Sequence, residues 1–495
     1  MQDIPLLVTG GTVFENPHLS HEDGALLLAG GRVAAVGASV DVEEAAARLG
    51  SGVERIDARG HLVLPGFVNP HWHEVLGRGA AALTGRGARP EPFDDRFDVP
   101  GPFAHGGDLC RLSTDFDRGY LFGASLEPAE ARAIADYSVW VQLRCGTTML
   151  GDFGSMNTAD ALVGAVERIG LRAALSVWAT DGACNPGFER TRPADAVLAD
   201  FDTLRERTVG CERVTTMLSA IYPSNLSDEL ARGMVERSEA WGVPLATHVG
   251  ALPDEVARTT EAFGVSPVRR LARLGWLGSR TVVAHTAWID DGEVDLLVDA
   301  GVHVTHSPAK YGLSGESAVS GTGRIRELAA RGLSVSLSTD GEGMPTGGMI
   351  EAMRAGMLMH NESASDNTAV VPSRALEMAT SAGAVALGAG DRLGTLGAGR
   401  AADAVIVRAD DWRYLLRARP LEGLVTLGSS ADVRTVVVGG RVVLRDGCST
   451  LVDEDALRAA YVDAVASVGR RRFGVDPALL RRTRPQAEEG RATGG

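Results

Sequence analysis

The segment Leu64-Pro-Gly-Phe-Val-Asn-Pro-His-Trp-His73 constrains the fold more than any other part of the chain. Leu62 to Val68 is apolar and β-prone, broken only by Pro65-Gly66, and reads as a turn feeding a buried strand. That strand ends on two histidines one residue apart. Alternate residues of a strand face the same way, so His71 and His73 converge on one point. Two imidazoles meeting at a strand end is a metal-ligand geometry, although two unrelated loop residues would spell the same letters. Partners placed much later in the chain decide between these readings.

Downstream, apolar β-prone runs alternate with helix-like segments, the pattern of a parallel sheet covered by helices. Eight such runs are legible: 64–71, 147–152, 171–178, 214–221, 243–248, 281–285, 302–306 and 333–340. Helical segments such as 194–206 and 227–241 separate them. Eight parallel strands predict a (β/α)8 TIM-type barrel, a fold whose catalytic groups sit at the carboxyl ends of the strands. His71, His73, Asp152, Asp181, His248, His285, His306 and Asp340 all fall at such ends.

The flanks read differently. Residues 5–66 hold short β-rich runs at Leu6–Thr9, Ala25–Leu28 and Arg32–Val36, with Gly-Gly pairs at 10–11 and 30–31 expected to form hairpin turns and a short helix over 40–49. Similar runs return at Ala404–Val407, Thr426 and Arg434–Leu444. The predicted organisation is α/β: a small composite β-sandwich domain from 1–66 and 397–450, and a barrel over 67–396. A C-terminal helix over 451–475 and a polar, Gly-rich disordered tail over 476–495 follow. Residues 74–127 form a long insertion directly after the histidine pair, and a loop of that length is expected to cover the barrel mouth and help choose the substrate.

Composition excludes several classes of protein. With 44% hydrophobic residues in 495, the chain can bury a large core. A net charge of −15 without a basic stripe argues against nucleic acid and anionic membranes as partners. The five scattered cysteines form no C-x-x-C and favour a reducing compartment. There is no basic n-region followed by an apolar run at the start, and no apolar stretch long enough to span a bilayer. The expected setting is cytoplasmic, and the expected state a homo-oligomer, a dimer or larger.

The stretch Pro65–His73 resembles the first metal motif of the amidohydrolase superfamily. It is most similar to the branch of heterocycle aminohydrolases and chlorohydrolases, such as cytosine and guanine deaminases and the triazine hydrolases. The resemblance runs from about residue 5 to about residue 447. Trp72 departs from the small residue usual between the two histidines. The resemblance implies one divalent metal per subunit, held by His71, His73, His248 in Ala246-Thr-His-Val and Asp340 in Leu337-Ser-Thr-Asp-Gly. Three imidazoles and a carboxylate suit Zn²⁺ or Fe²⁺. Such an ion lowers the pKa of a bound water from 15.7 to roughly 7, so hydroxide is available at neutral pH. Asp340 matches the family's base. His285, in Val283-Ala-His-Thr-Ala-Trp, matches the histidine that polarises substrate and orients the nucleophile, with a second-metal ligand as the lesser role.

One position departs from the deaminase pattern. The family's proton-donating glutamate, three residues after the second-motif histidine, is Ala251 here. Amine departure then needs another acid, whereas halide, thiolate or nitrite leaves without one. The loop His306-Ser-Pro-Ala-Lys310-Tyr-Gly-Leu-Ser-Gly-Glu316 offers Lys310 and Glu316 as replacement acid or electrostatic clamp, set against a solvated lysine and a helix-capping glutamate. Glu74 is a lesser candidate because it faces away from the histidine pair. Trp72, Trp178, Tyr311, Tyr222 and Phe103 are candidates to stack on a flat ring, and His285 to contact substrate. The predicted activity is hydrolytic displacement on a small N-heterocycle. Hydrolysis of a cyclic or acyclic amide is the enzymatic alternative, and a metal-free scaffold or binding barrel the non-enzymatic one.

Overall fold

The computed structural model describes residues 4–50, 52–74, 126–154, 159–182, 192–314, 316–341, 347–414, 419–468 and 470–471. The insertion after the histidine pair (apart from Glu74, Leu126 and Glu127), Phe103 and the tail 476–495 lie outside them. Near the amino terminus run β1 (Leu6–Asn16), β2 (Leu19–Ala29), β3 (Arg32–Ala38), β4 (Glu54–Asp57) and β5 (His61–Pro65). They are followed by β6 (Phe67–His73), β7 (Thr147–Asp152), β8 (Arg172–Leu175), β9 (Val214–Thr216) and β10 (Leu218–Ala220). Then come β11 (Leu245–Val249), β12 (Thr281–His285), β13 (His303–His306), β14 (Ser334–Leu337) and β15 (Asp340–Gly341). The last are β16 (Ala404–Arg408), β17 (Val433–Val438), β18 (Arg441–Arg445) and β19 (Cys448–Ser449).

The two ends of the chain share one sheet, because β16 lies antiparallel to β5 with Val405 opposite Leu64. Pro65-Gly66 is where the chain leaves it. Gly66 donates to the Asp403 carbonyl at 3.0 Å, and a Cβ there would lie 2.3 Å from the Thr148 hydroxyl, so only glycine fits the crossing. Immediately beyond, β6 pairs with β7 in parallel. The Gly30-Gly31 hairpin forms as expected between β2 and β3. Gly10-Gly11 does not make a turn. It lies within the eleven-residue β1 at a register shift, with Gly10 at φ +79° and a Cβ on Gly11 meeting Ala58 at 3.0 Å. Thr426 is also not in a strand: it sits in the helix Pro420–Leu427, whose proline occupies the first turn.

The middle of the chain forms two five-stranded parallel sheets, ordered β15-β6-β7-β8-β9 and β10-β11-β12-β13-β14. The fourth and last runs of the sequence are each interrupted. Met217 divides β9 from β10, donating its N–H to the Leu175 carbonyl while Leu218 donates to Pro244. Ser338-Thr339 divides β14 from β15, Ser338 N bonding His306 O before Asp340 pairs with Trp72. One chain segment thus begins in one sheet and ends in the other, twice. The helices Ala194–Thr208 and Asp228–Trp241 follow their expected ranges, and Glu454–Val468 forms within the predicted C-terminal segment. Buried Leu150, Leu175, Val283, Val304 and Leu337 from these sheets join one hydrophobic core with helix residues such as Phe201, Leu230 and Leu297.

Candidate metal centre

His71 and His73 leave β6 on the same face, as strand alternation requires. His248 on β11 reaches the same point from the second sheet. The three Nε2 atoms stand 3.2, 3.0 and 3.1 Å from one another. Asp340 Oδ1 is 3.5 Å from His71 Nε2 and 3.7 Å from His73 Nε2. One ligand atom from each of the four lies within 4.8 Å of every other.

The donor chemistry fits a divalent cation. His73 Nδ1 is 3.0 Å from the Gly154 carbonyl and His248 Nδ1 is 2.6 Å from that of Ile221. A carbonyl only accepts, so both Nδ1 atoms carry the proton and both Nε2 atoms present a lone pair. Burial holds His71, His73 and His285 below the usual imidazole range and brings His248 to about 3, so the rings are neutral near pH 7. Neutral nitrogens crowded this closely repel unless a cation lies between them. Metal–nitrogen bonds of about 2.0–2.1 Å in a tetrahedral site would set them roughly 3.4 Å apart, within a few tenths of what is seen.

The other half of the site is charged. Lys310 forms a buried ion pair with Glu316, and its Nζ is 3.5 Å from Asp340 Oδ2. Burial pushes Asp340 upward, but the Lys310 ammonium beside it outweighs that and holds it well below the usual carboxylate range. For Lys310 burial pulls downward, and Glu316 and Asp340 together leave it raised. The lowered lysine pKa that suits a proton donor is therefore absent. Lys310 is a fixed cation, because two carboxylates face it. His285 Nε2 is 3.7 Å from Asp340 Oδ2, and its Nδ1 is 2.9 Å from the Tyr311 hydroxyl. His285 (φ +79°), Thr286 (+47°) and Asp340 (+61°) hold conformations uncommon outside glycine, each costing roughly 1–3 kcal/mol and concentrated here.

The structure redistributes the aromatic candidates. Trp72 is fully buried in the hydrophobic core, between residues that point to the metal cluster, so alternation carries its ring away from that cluster. Tyr311 is also buried and engages His285 through its hydroxyl, not a ring face. Trp178 is buried with slight exposure, and the Tyr222 ring lies 5.3 Å from that of His248. Asp152 accepts from Gly154 N and Ser176 N, and Asp181 from Ser227 N; both shape loops around the site. His306 packs against His360 with ring centroids 5.1 Å apart, outside the metal cluster.

Three contributors escaped the sequence reading. Asn69 donates to Thr339 Oγ1 at 2.8 Å and accepts from Thr339 N at 3.2 Å, tying β6 to the residue before Asp340 across 270 positions. Gly154 orients His73, with Asp152 holding Gly154. Glu255 anchors the turn after His248. Only the apolar-strand position of Asn69 stood out as a local signal.

The match of residues 62–443 to the amidohydrolase family decides the relationship. The chain belongs to the amidohydrolase family. It is 31% identical over 446 residues to a 5-methylthioadenosine/S-adenosylhomocysteine deaminase from Nitratidesulfovibrio vulgaris, covering 88% of this chain and 90% of that one. It is 27% identical over 462 residues to a 5'-deoxyadenosine deaminase from Methanopyrus kandleri, covering 91% and 96%. Among solved structures, atrazine chlorohydrolase from Arthrobacter aurescens TC1, complexed with zinc, is similar with a TM-score of 0.77 and 26% identity over 93% of this chain and 100% of that one. No described helix is long and apolar enough to cross a membrane.

Proposed function

We propose that this amidohydrolase hydrolyses a small N-heterocycle at a ring carbon, displacing an amine, halide, thiolate or nitrite, with one Zn²⁺ or Fe²⁺ held by His71, His73, His248 and Asp340. The observation that carries the reading is the convergence of three Nε2 atoms, two of them left unprotonated by the carbonyls at their Nδ1, and a carboxylate oxygen from the two parallel sheets. A divalent ion bound there supplies an acidified water and hence hydroxide near neutral pH.

The protein's own residues handle the rest. Asp340, kept ionised by Lys310, accepts the proton of the attacking water. His285, set by Tyr311 and a strained backbone, faces the same carboxylate and polarises the ring carbon's neighbouring atom. As the carbon–leaving-group bond breaks, an amine takes the proton from Asp340; an anionic group leaves without it. Ala251 offers only a methyl, and Lys310 stays charged, so Lys310, held in place by Glu316, acts as an electrostatic clamp on Asp340 and on developing negative charge. Trp178, packed beside the Gly154 that orients His73, is assigned to contact substrate.

Both leaving-group classes have support: the sequence relatives bear deaminase names, and the zinc-bound structural relative is a chlorohydrolase. The two sheets, sharing their interrupted strands, are read as one closed (β/α)8 barrel over 67–396. The shared sheet is read as the core of a composite β-sandwich domain from 1–66 and 397–450. The test combines metal analysis by mass spectrometry with turnover of matched heterocycles bearing amino, chloro, thio and nitro groups. One metal per chain and release of at least one of these groups are expected. A metal-free, inert preparation that gains no thermal stability from added Zn²⁺ or Fe²⁺ would sink the reading.

A further inference from the structure

Glu255 is a fully buried carboxyl in the helix Pro253–Phe263, outside the metal cluster. Its two oxygens accept from consecutive peptides: Oε1 from Gly250 N at 3.0 Å and Oε2 from Ala251 N at 2.7 Å. Those peptides belong to the turn that ends β11 just after the ligand His248. Their carbonyls are also engaged. Val249 O, in the same peptide unit as Gly250 N, accepts from Thr286 N at 2.9 Å. Gly250 O, in the same unit as Ala251 N, accepts from Ala287 N at 3.0 Å and Trp288 N at 2.8 Å. Each peptide is therefore gripped on its N–H side by Glu255 and on its C=O side by the turn that leaves β12. A hydrogen bond at one end of a peptide strengthens that at the other, so the grip is cooperative.

The far side of this grip is where the backbone is strained, at His285 and Thr286. Such conformations persist only where surrounding contacts over-determine them. Gly250 sits at φ +62°, and a Cβ on it would lie 2.9 Å from Ile289, so the turn has little freedom to rearrange. Ordinary helix capping explains only part of the contact. Glu293, at the same third position of the helix Asp291–Ala300, closes on its own N-cap, Asp290. Glu255 meets the backbone N–H of its N-cap, Leu252, and also reaches past it to the two residues before it. Burial drives its carboxyl up to about 8, a cost the neighbouring backbone N–H groups only partly offset.

We propose that Glu255 is a positioning residue that locks the His248 and His285 strand ends to one another, holding His285 in its strained backbone conformation. It rests on the reading of His285 as the group that polarises substrate. The test uses Glu255→Ala and Glu255→Gln in the full metal-loaded chain. Glu255→Ala should keep its metal and its KM while kcat falls about 10²-fold, the cost of a small displacement of a catalytic group. Hydrogen exchange followed by mass spectrometry should show faster exchange at residues 286–288 as well as at 250–251. Glu255→Gln, which keeps one acceptor oxygen, should fall between. If Glu255→Ala does not fold, Glu255→Gln carries the same readouts. Faster exchange confined to 250–256 with kcat unchanged would reduce Glu255 to a helix cap and overturn the proposal. Absence of any heterocycle hydrolysis by the unsubstituted protein would instead defeat the proposed function, while exchange at 286–288 still decides the clamp.

Discussion

The two halves of the metal centre are built on different principles. His71, His73 and His248 are neutral because burial makes them so, and two of the three are aimed by backbone carbonyls that no side-chain substitution removes. Asp340, Lys310, Glu316, His285 and Tyr311 are aimed by one another, through charge and side-chain hydrogen bonds. The imidazole half is therefore most sensitive to removal of a ligand itself. The charged half can be disturbed at each of its members, and a disturbance at one spreads to the next.

The largest effect expected is at the ligands. His73→Ala or His248→Ala should lose metal and activity together, whereas His285→Ala should keep the metal and lose roughly 10²–10⁴-fold in kcat. Metal analysis beside single-substrate kinetics separates the two, and an active, fully metallated His73→Ala enzyme would refute the site. Next comes Lys310→Met, which leaves two buried carboxylates without their cation. Removing one partner of a buried pair costs about 3–5 kcal/mol, read from denaturant unfolding. Lys310→Met with Glu316→Gln should recover part of that loss, because the coupling belongs to the pair.

A third set of buried histidines shows burial acting without ligation. Burial, with Arg326 adding to it, lowers His360 to about 4 from an ordinary 6.5. The unfolded chain binds that proton more readily, so this stabilising contribution is complete above pH 6.5 and is lost as pH falls toward 4. The loss amounts to ~3 kcal/mol. His360→Leu should flatten the acid limb of the stability curve, and an unchanged limb would show that His360 does not control it. The smallest effect belongs to Tyr311→Phe, which deletes one hydrogen bond to His285. About 0.5–1.5 kcal/mol is expected, up to roughly tenfold in kcat, with metal content unchanged.

The sequence alone determined the eight apolar runs that become the parallel strands of the middle of the chain, and their order, because period-two alternation and apolar runs are local properties. It therefore placed His71, His73, His248, His285 and Asp340 at strand ends. It also offered Lys310 and Glu316 as replacement acid or electrostatic clamp, without deciding between the two. Tertiary structure decided what alternation cannot express: which neighbour fills each face, and which distant groups set a charge. Trp72 went into the core because its strand face there meets other apolar side chains, not solvent or substrate. Lys310 kept its charge because folding paired it with Glu316 and brought Asp340 to within 3.5 Å of it. Asn69 meets Thr339, and Glu255 reaches the peptides that hold the turn after His285, through hydrogen bonds that link separate strands. Such bonds depend on the closeness of strands far apart in the chain, and only packing supplies that closeness.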